Sequence, residues 1–139
     1  MGCRPHIDHT AHSSGNRHAM KALNNYVAGT AFVAASEAIL VGQRFGLDPT
    51  VMMDVMNVST GRCFNTEMVM KQHVISGEFA SDFALGLLAK DVGIAHSLAE
   101  SIGHPSPLVE LVSTLLAEAR DEMASGVDHT CAYQYWESR

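Results

Sequence analysis

Positive charge is scarce in this chain. Nine Lys and Arg stand against 15 Asp and Glu among 139 residues, a formal charge of −6. That balance excludes binding driven by phosphate neutralisation, so no nucleic-acid partner is expected. Cysteine is scarce too: Cys3, Cys63 and Cys131 are far apart and form no Cys-x-x-Cys pair. They fit a reducing cytoplasm and support no disulfide framework. No apolar run approaches the ~18 residues of a membrane span, because Ser36 and Glu37 interrupt the longest. The opening Met-Gly-Cys-Arg-Pro-His has neither the apolar centre of a signal peptide nor the Ser or Thr of a myristoylation site. A cytoplasmic chain without a membrane partner is therefore expected. Strand signals are also missing: there is no long period-two run, no Asn-Gly or Asp-Gly turn, and no Gly-x-Gly-x-x-Gly following a strand.

What is present reads as helix. Hydrophobic residues make up 47% of the chain and charged ones 17%, the balance of a folded domain large enough for its own core. Residues 1–14 read as a linker or tail, broken by Pro5, Asp8, Ser13 and Ser14. This segment holds His6, His9 and His12 at three-residue steps. A metal site there would need helical geometry directly after Pro5 and a fourth ligand, and none is evident, so no metal is assigned.

Residues 15–139 read as one all-α domain of about six helices around a long first one. The first runs from about Arg17 to Gln43 or Arg44 and is apolar nearly all round, as in a helix buried on several sides or shared with a partner subunit. Gly46 suits its C-cap. Asp48-Pro49 restarts the chain as cap and first position of a second helix to about Asn57, with Val51, Met52, Val55 and Met56 as its buried face. The stripe Met52, Met53, Met56 reads as core filling. Gly61 supplies a positive φ to the turn Val58–Arg62, and a third helix spans about Asn65–Ile75. A fourth continues over Ala89–Ser101. Ser106 and Pro107 open a fifth to Ala124, with Leu108, Leu111, Val112, Leu115, Leu116 and Ala119 as its stripe. Asp128 caps the last element, and Tyr133, Tyr135 and Trp136 pack on the body or on a partner.

The most suggestive polar group opens the first helix. Lys21 is four residues from Asn25 and three from Asn24. On a helix these spacings put the side chains on one face, within reach of one small molecule. A Lys at the mouth of a buried helix, flanked by amides, can serve as an acid/base group when desolvated. The plainer alternative is a Lys whose stem reaches solvent.

The run Gly15-x-x-x-x-x-Lys21-x-x-Asn24-Asn25, opening an Ala/Gly-rich helix, resembles the second domain of the β-hydroxyacid dehydrogenases. That group includes 3-hydroxyisobutyrate dehydrogenase, tartronate semialdehyde reductase and, more distantly, 6-phosphogluconate dehydrogenase. Arg17 stands where the family commonly has a second Gly. Two further stretches resemble the family in the same order: Phe83-x-x-x-x-x-x-Lys90-Asp91, and Asp128-His129-Thr130-Cys131-Ala132 at the start of the last helix. A weaker likeness lies in the turn Ser59-Thr60-Gly61-Arg62, which in the family is near the substrate pocket.

The resemblance covers about residues 15–137 and implies a fold like the C-terminal domain of 6-phosphogluconate dehydrogenase. It implies Lys21 as the acid/base group, Asn24 and Asn25 as substrate-binding amides, and Phe83, Lys90 and Asp91 as residues of the cofactor cleft. It implies NAD or NADP as cofactor in the intact enzyme and a small 2- or 3-hydroxy acid as substrate. A homodimer or higher oligomer is expected. The family's preceding Rossmann domain is absent from this sequence, so the chain is expected to be incomplete for catalysis alone and to need a separate Rossmann domain. The alternative is a helical dimerisation or scaffold module without catalysis.

Overall fold

A computed structural model describes residues 14–139. The tail histidines His6, His9 and His12, and Cys3, lie outside the described residues. Five α-helices, one π-helix and one short 3-10 turn follow in order: α1 (Ser14–Phe45), α2 (Pro49–Met56), the π-helix (Asn65–Ile75), α3 (Leu85–Ser101), α4 (Pro107–Glu122), the 3-10 turn (His129–Cys131) and α5 (Ala132–Glu137). There is no strand among the described residues; a single antiparallel bridge joins Ala84 to Asp128. The all-α expectation with a long first helix therefore holds.

α1 is the axis of the fold. By length and apolar composition alone it would pass for a membrane span, yet nearly half of its most apolar stretch is buried inside the fold. Phe32, Ile39, Ala22 and Ala35 lie in the core with Leu88, Val92, Val112 and Leu116. The helix is not covered all round, however: Met20, Val27, Val41 and Phe45 stay exposed along one side.

The close approach of α1 to α3 and α4 depends on a missing side chain. A Cβ at Gly29 would lie 3.3 Å from Leu88 Cδ1, 3.4 Å from Val92 Cγ2 and 3.5 Å from Leu116 Cδ1. α1 ends at Gly46, where φ is +111° and the N–H bonds back to Gly42 O at 3.1 Å. This is a conformation that a residue with a Cβ rarely adopts.

Asp48 caps α2 as expected, its Oδ1 accepting from Thr50 N at 2.8 Å and Val51 N at 3.3 Å. The expected buried face of α2 is only half right. Met52 and Met56 pack on the core and Met53 is fully buried, while Val51 and Val55 are more than half exposed. The short helix is apolar at five of its eight positions, so composition could not fix which face turns inward. Leu108 and Leu111 of α4 are likewise half exposed, and Val109 is buried instead. Ser106 does not cap α4; its hydroxyl donates to His104 O at 3.2 Å. Gly61 does not have a positive φ. The span Asn65–Ile75 is helical as expected, but as a π-helix, and its buried residues Asn65, Thr66, Met70 and Val74 recur at steps of four and five.

Gly29 and Gly42, the two buried glycines of α1, separate rigid from yielding contacts. Gly29→Leu is expected to destabilise by about 1–3 kcal/mol in chemical denaturation, because it forces three packed core side chains apart. At Gly42 a Cβ would clash with the thioether end of Met52 and make ordinary contact with Leu47 Cδ1 at 3.6 Å. Since Met52 can swing aside and Ala gains up to about 1 kcal/mol of helix propensity, Gly42→Ala is expected to be neutral or stabilising.

Candidate active site

One turn before Gly29, α1 reaches across to α3. Asn25 Nδ2 donates to Asp91 Oδ2 at 2.6 Å. Asp91 is buried at 7% exposure, and Lys21 Nζ stands 3.7 Å from the same oxygen. Asn24 Nδ2 donates to Asn25 Oδ1 at 3.3 Å. The structure thus brings Lys21, Asn24, Asn25 and Asp91 into one group. The water exclusion expected around Lys21 is not found, since its side chain is 67% exposed.

These partners are not equal in weight. An ion pair with one member this exposed contributes at most about 1 kcal/mol. A hydrogen bond to a charged group is worth about 1.5–3 kcal/mol, and the carboxylate that accepts it is buried. Asp91 therefore acts first to fix the Asn25 amide and only second to attract Lys21. Its neighbour Lys90 is exposed and forms no ion pair among the described residues.

Asn24 and Asn25 also line a cavity of about 560 Å3. Its walls are the apolar side of α1 (Val27, Ala28, Phe32), the start of the π-helix (Phe64, Asn65), and Ser81, Phe83 and His129. Phe83, paired with Lys90 and Asp91 in the sequence reading, is thus a cavity wall. Its ring meets the His129 ring edge-on at 5.7 Å.

A part-buried polar network supports that wall. His129 N donates to Phe83 O at 2.7 Å and Leu85 N to Val127 O at 2.9 Å, tying the two segments together. Ser81 Oγ donates to the Asp128 carboxylate at 3.0 Å. Thr130 reaches the same carboxylate through its N–H at 3.0 Å and its hydroxyl at 2.5 Å. Burial works to raise the Asp128 carboxyl; the Thr130 bonds, the Ser81 hydroxyl and nearby His129 together outweigh it and hold the group below its usual value. Burial also dominates at His129 and pushes the imidazole down, against the Phe83 carbonyl and Asp128, which favour the proton.

Sequence reasoning saw Asp128 only as a cap and missed Ser81, His129, Phe64 and Asn65 as site residues. Ser81 and His129 are 48 positions apart, and no local period could join them. The turn likeness at Ser59–Gly61 came close: Ser59 and Gly61 are exposed and do not line the cavity, but Cys63, Phe64 and Asn65 immediately after them do.

Comparison with known proteins gives a consistent picture. The family model described as NAD-binding of NADP-dependent 3-hydroxyisobutyrate dehydrogenase matches residues 15–136. The chain is similar to a probable mitochondrial 3-hydroxyisobutyrate dehydrogenase of Arabidopsis thaliana, at 31% identity over 88% of this chain and 37% of that protein. It is similar to 2-(hydroxymethyl)glutarate dehydrogenase of Eubacterium barkeri, at 28% identity over 89% of this chain and 41% of that protein. In three dimensions it resembles a 3-hydroxyisobutyrate dehydrogenase from Salmonella typhimurium, with a TM-score of 0.77 and 26% identity, covering 84% of this chain and 40% of the other. The chain thus spans about two-fifths of the length of these relatives.

Two measurements check the site's energetics. Asn25→Ala is expected to lower stability by about 1.5–3 kcal/mol, since it leaves buried Asp91 without its amide. Lys21→Ala should change stability by under about 1 kcal/mol. Urea unfolding of both variants compares them directly, and equal losses would contradict the ranking. The second measurement follows pH. His129 is held neutral by the fold, so the unfolded chain binds the extra proton first; stability is retained above pH 6.5, the ordinary imidazole value, and falls as pH drops below it. Thermal midpoints of His129→Gln should show a shallower decline below pH 6.5 than those of the parent chain.

Proposed function

We infer the function from one premise: the chain belongs to the family described as NAD-binding of NADP-dependent 3-hydroxyisobutyrate dehydrogenase. We propose that it is the helical, substrate-side part of an NAD(P)-dependent oxidoreductase acting on a small 2- or 3-hydroxy acid. The observation that carries this is the Lys21–Asn25–Asp91 group, an ammonium and an amide held on one carboxylate at the edge of a cavity.

In this reading Lys21 is the acid/base group. During oxidation its neutral amine takes the proton of the substrate hydroxyl, and during reduction its ammonium returns that proton to the carbonyl oxygen. Asn25, locked by Asp91, presents its amide to the substrate, and Asn24 steadies Asn25. NAD(P) supplies the hydride acceptor when bound. The residues present suit one end of such a cofactor: Lys90 is an exposed cation with no ion pair among the described residues, available to an anionic or carbonyl group. They offer no glycine-rich turn for a pyrophosphate. The dinucleotide fold must therefore come from a separate Rossmann domain, and these helices alone turn over little or nothing. Unpaired Cys63 and Cys131 fit a reducing, cytoplasmic setting.

A second reading, self-association without catalysis, draws on the exposed apolar side of α1 at Met20, Val27, Val41 and Phe45. One set of experiments separates the two. The chain is mixed with a Rossmann domain of the same family, and NADH formation from 3-hydroxyisobutyrate is followed, with light scattering on the chain alone. The dehydrogenase reading expects a rate that Lys21→Ala lowers by about 10²-fold or more, the usual scale of general acid–base catalysis. A rate indifferent to Lys21→Ala would sink it. A monomer in light scattering would remove the second reading.

A further inference from the structure

The cavity lined by Asn24 and Asn25 has a volume of about 560 Å3, inside the range of about 300–1,000 Å3 for pockets that hold small organic ligands. A hydroxy-acid head beside Asn25 leaves room for a side chain along Ala28, Phe32 and Phe83. No Lys, Arg, Asp or Glu lines this cavity, and burial pushes its one imidazole, His129, toward the neutral form. A charged group carried there meets no counter-charge, and burying a charge unpaired is costly.

One hydrogen-bond donor on the wall is left over. Asn24 and Asn25 are tied to each other and to Asp91. The Ser81 hydroxyl is given to Asp128. His129 Nδ1 lies against Phe83 O at 3.2 Å and Ser81 Oγ at 2.9 Å. Asn65 is the first residue of the π-helix and is 6% exposed. Its Oδ1 is sealed from the cavity and has no hydrogen-bond partner. Its Nδ2 is the accessible atom of the amide and makes no hydrogen bond among the described residues. With so little free surface the side chain cannot swing out to bulk water, so what enters the cavity must take this hydrogen. An alkyl group there strips water from the N–H and returns nothing; a carbonyl oxygen replaces that water.

We propose that Asn65 is a specificity-determining residue: its Nδ2 donates to a neutral carbonyl oxygen on the side chain of the substrate, so that the hydroxy acid which fits carries an ester or amide carbonyl and not a second carboxylate. The proposal rests on the dehydrogenase reading for the hydroxy-acid head and on the cavity alone for the side chain.

The test is calorimetric titration of the chain with three hydroxy acids. They are 3-hydroxyoctanoate, the 6-methyl ester of 3-hydroxyadipate, which places one carbonyl in a chain of the same length, and 3-hydroxyadipate, which ends in a carboxylate. The ester is expected to bind about two- to tenfold tighter than the octanoate, the net worth of one neutral hydrogen bond, and the adipate to bind weaker than either. Asn65→Leu should place the ester below the octanoate, and leave octanoate binding as it is or tighter. Without ligand this variant should unfold in urea no earlier than the parent chain, because it removes an unpaired buried oxygen. Methyl hexanoate has the skeleton of the ester acid without its carboxylate and hydroxyl. It should bind about tenfold more weakly or worse, the scale of a hydrogen bond to a charged group at the head.

Equal affinity of ester and octanoate for the parent chain, or an ester preference that survives Asn65→Leu, would overturn the role of Asn65 and leave the dehydrogenase reading standing. Methyl hexanoate matching the ester acid, with Asn65→Leu weakening both, would uphold the Asn65 donor and remove the head, and with it the dehydrogenase reading. 3-Hydroxyadipate binding as tightly as its ester would overturn the demand for a neutral group. Absence of binding by every probe would overturn the proposal.

Discussion

The approach of α1 to α3 at Gly29 is the constraint on which the site depends. With no side chain at Gly29, Leu88, Val92 and Leu116 close to van der Waals distance of the α1 backbone. Interiors are close-packed, so a shift of one side chain is passed on to its neighbours. One turn earlier on α1, that contact sets how far Asn25 stands from Asp91, and a 2.6 Å hydrogen bond leaves little latitude. The polar group therefore inherits its geometry from an apolar contact. The Lys21–Asp91 pair, longer and two-thirds exposed at the lysine, follows that geometry and does not determine it.

A second constraint comes from the crossing of the segments before α3 and after α4. The Ala84–Asp128 bridge and the bonds between Phe83 and His129 and between Leu85 and Val127 hold two irregular stretches side by side. Just ahead of it the backbone is strained: Phe79 has φ of 50° and Asp82 of 64°. Asp tolerates this region better than most residues, but Phe does not, and such a conformation persists only where its surroundings over-determine it. The crossing, with Ser81 and Thr130 anchored on one part-buried carboxylate, supplies that determination. It turns Phe83 and His129 into a fixed wall of the cavity.

The sequence was legible wherever local chemistry decides the structure. Asp48 and Pro49 mark the start of α2, Gly46 the end of α1, and Asp128 the last cap, because a cap needs only neighbours in the chain. Lys21, Asn24 and Asn25 were found by spacing, and Asp91 by a family likeness that pointed to the residue without showing its bond to Asn25. What failed was decided by packing. Val51 and Met53 are both apolar, and only the way α2 lies against α1 and the π-helix chooses between them. The π-helix looked like an ordinary helix because eleven residues hold too few turns to tell a step of four or five from one of three or four. The wall of Ser81, Asn65 and His129 joins three distant segments, and no motif in one of them announces the others.

The exposure of Lys21 sets the last step. Two unit charges about 4 Å apart interact by about 1 kcal/mol in water and by about 4 kcal/mol at the effective dielectric of a protein site shielded from bulk water. An acid/base lysine gains its sensitivity to neighbours from the second condition. Here the geometry is in place, with Asn25 and Asp91 within reach of the ammonium, and the low dielectric is not. The helices provide the arrangement of groups and leave Lys21 in contact with water. A catalytic role for Lys21 thus requires a covering domain on electrostatic grounds, independently of where the dinucleotide binds. The wall formed by Asn65 and His129 has no such requirement, since both residues are buried within the helical domain itself.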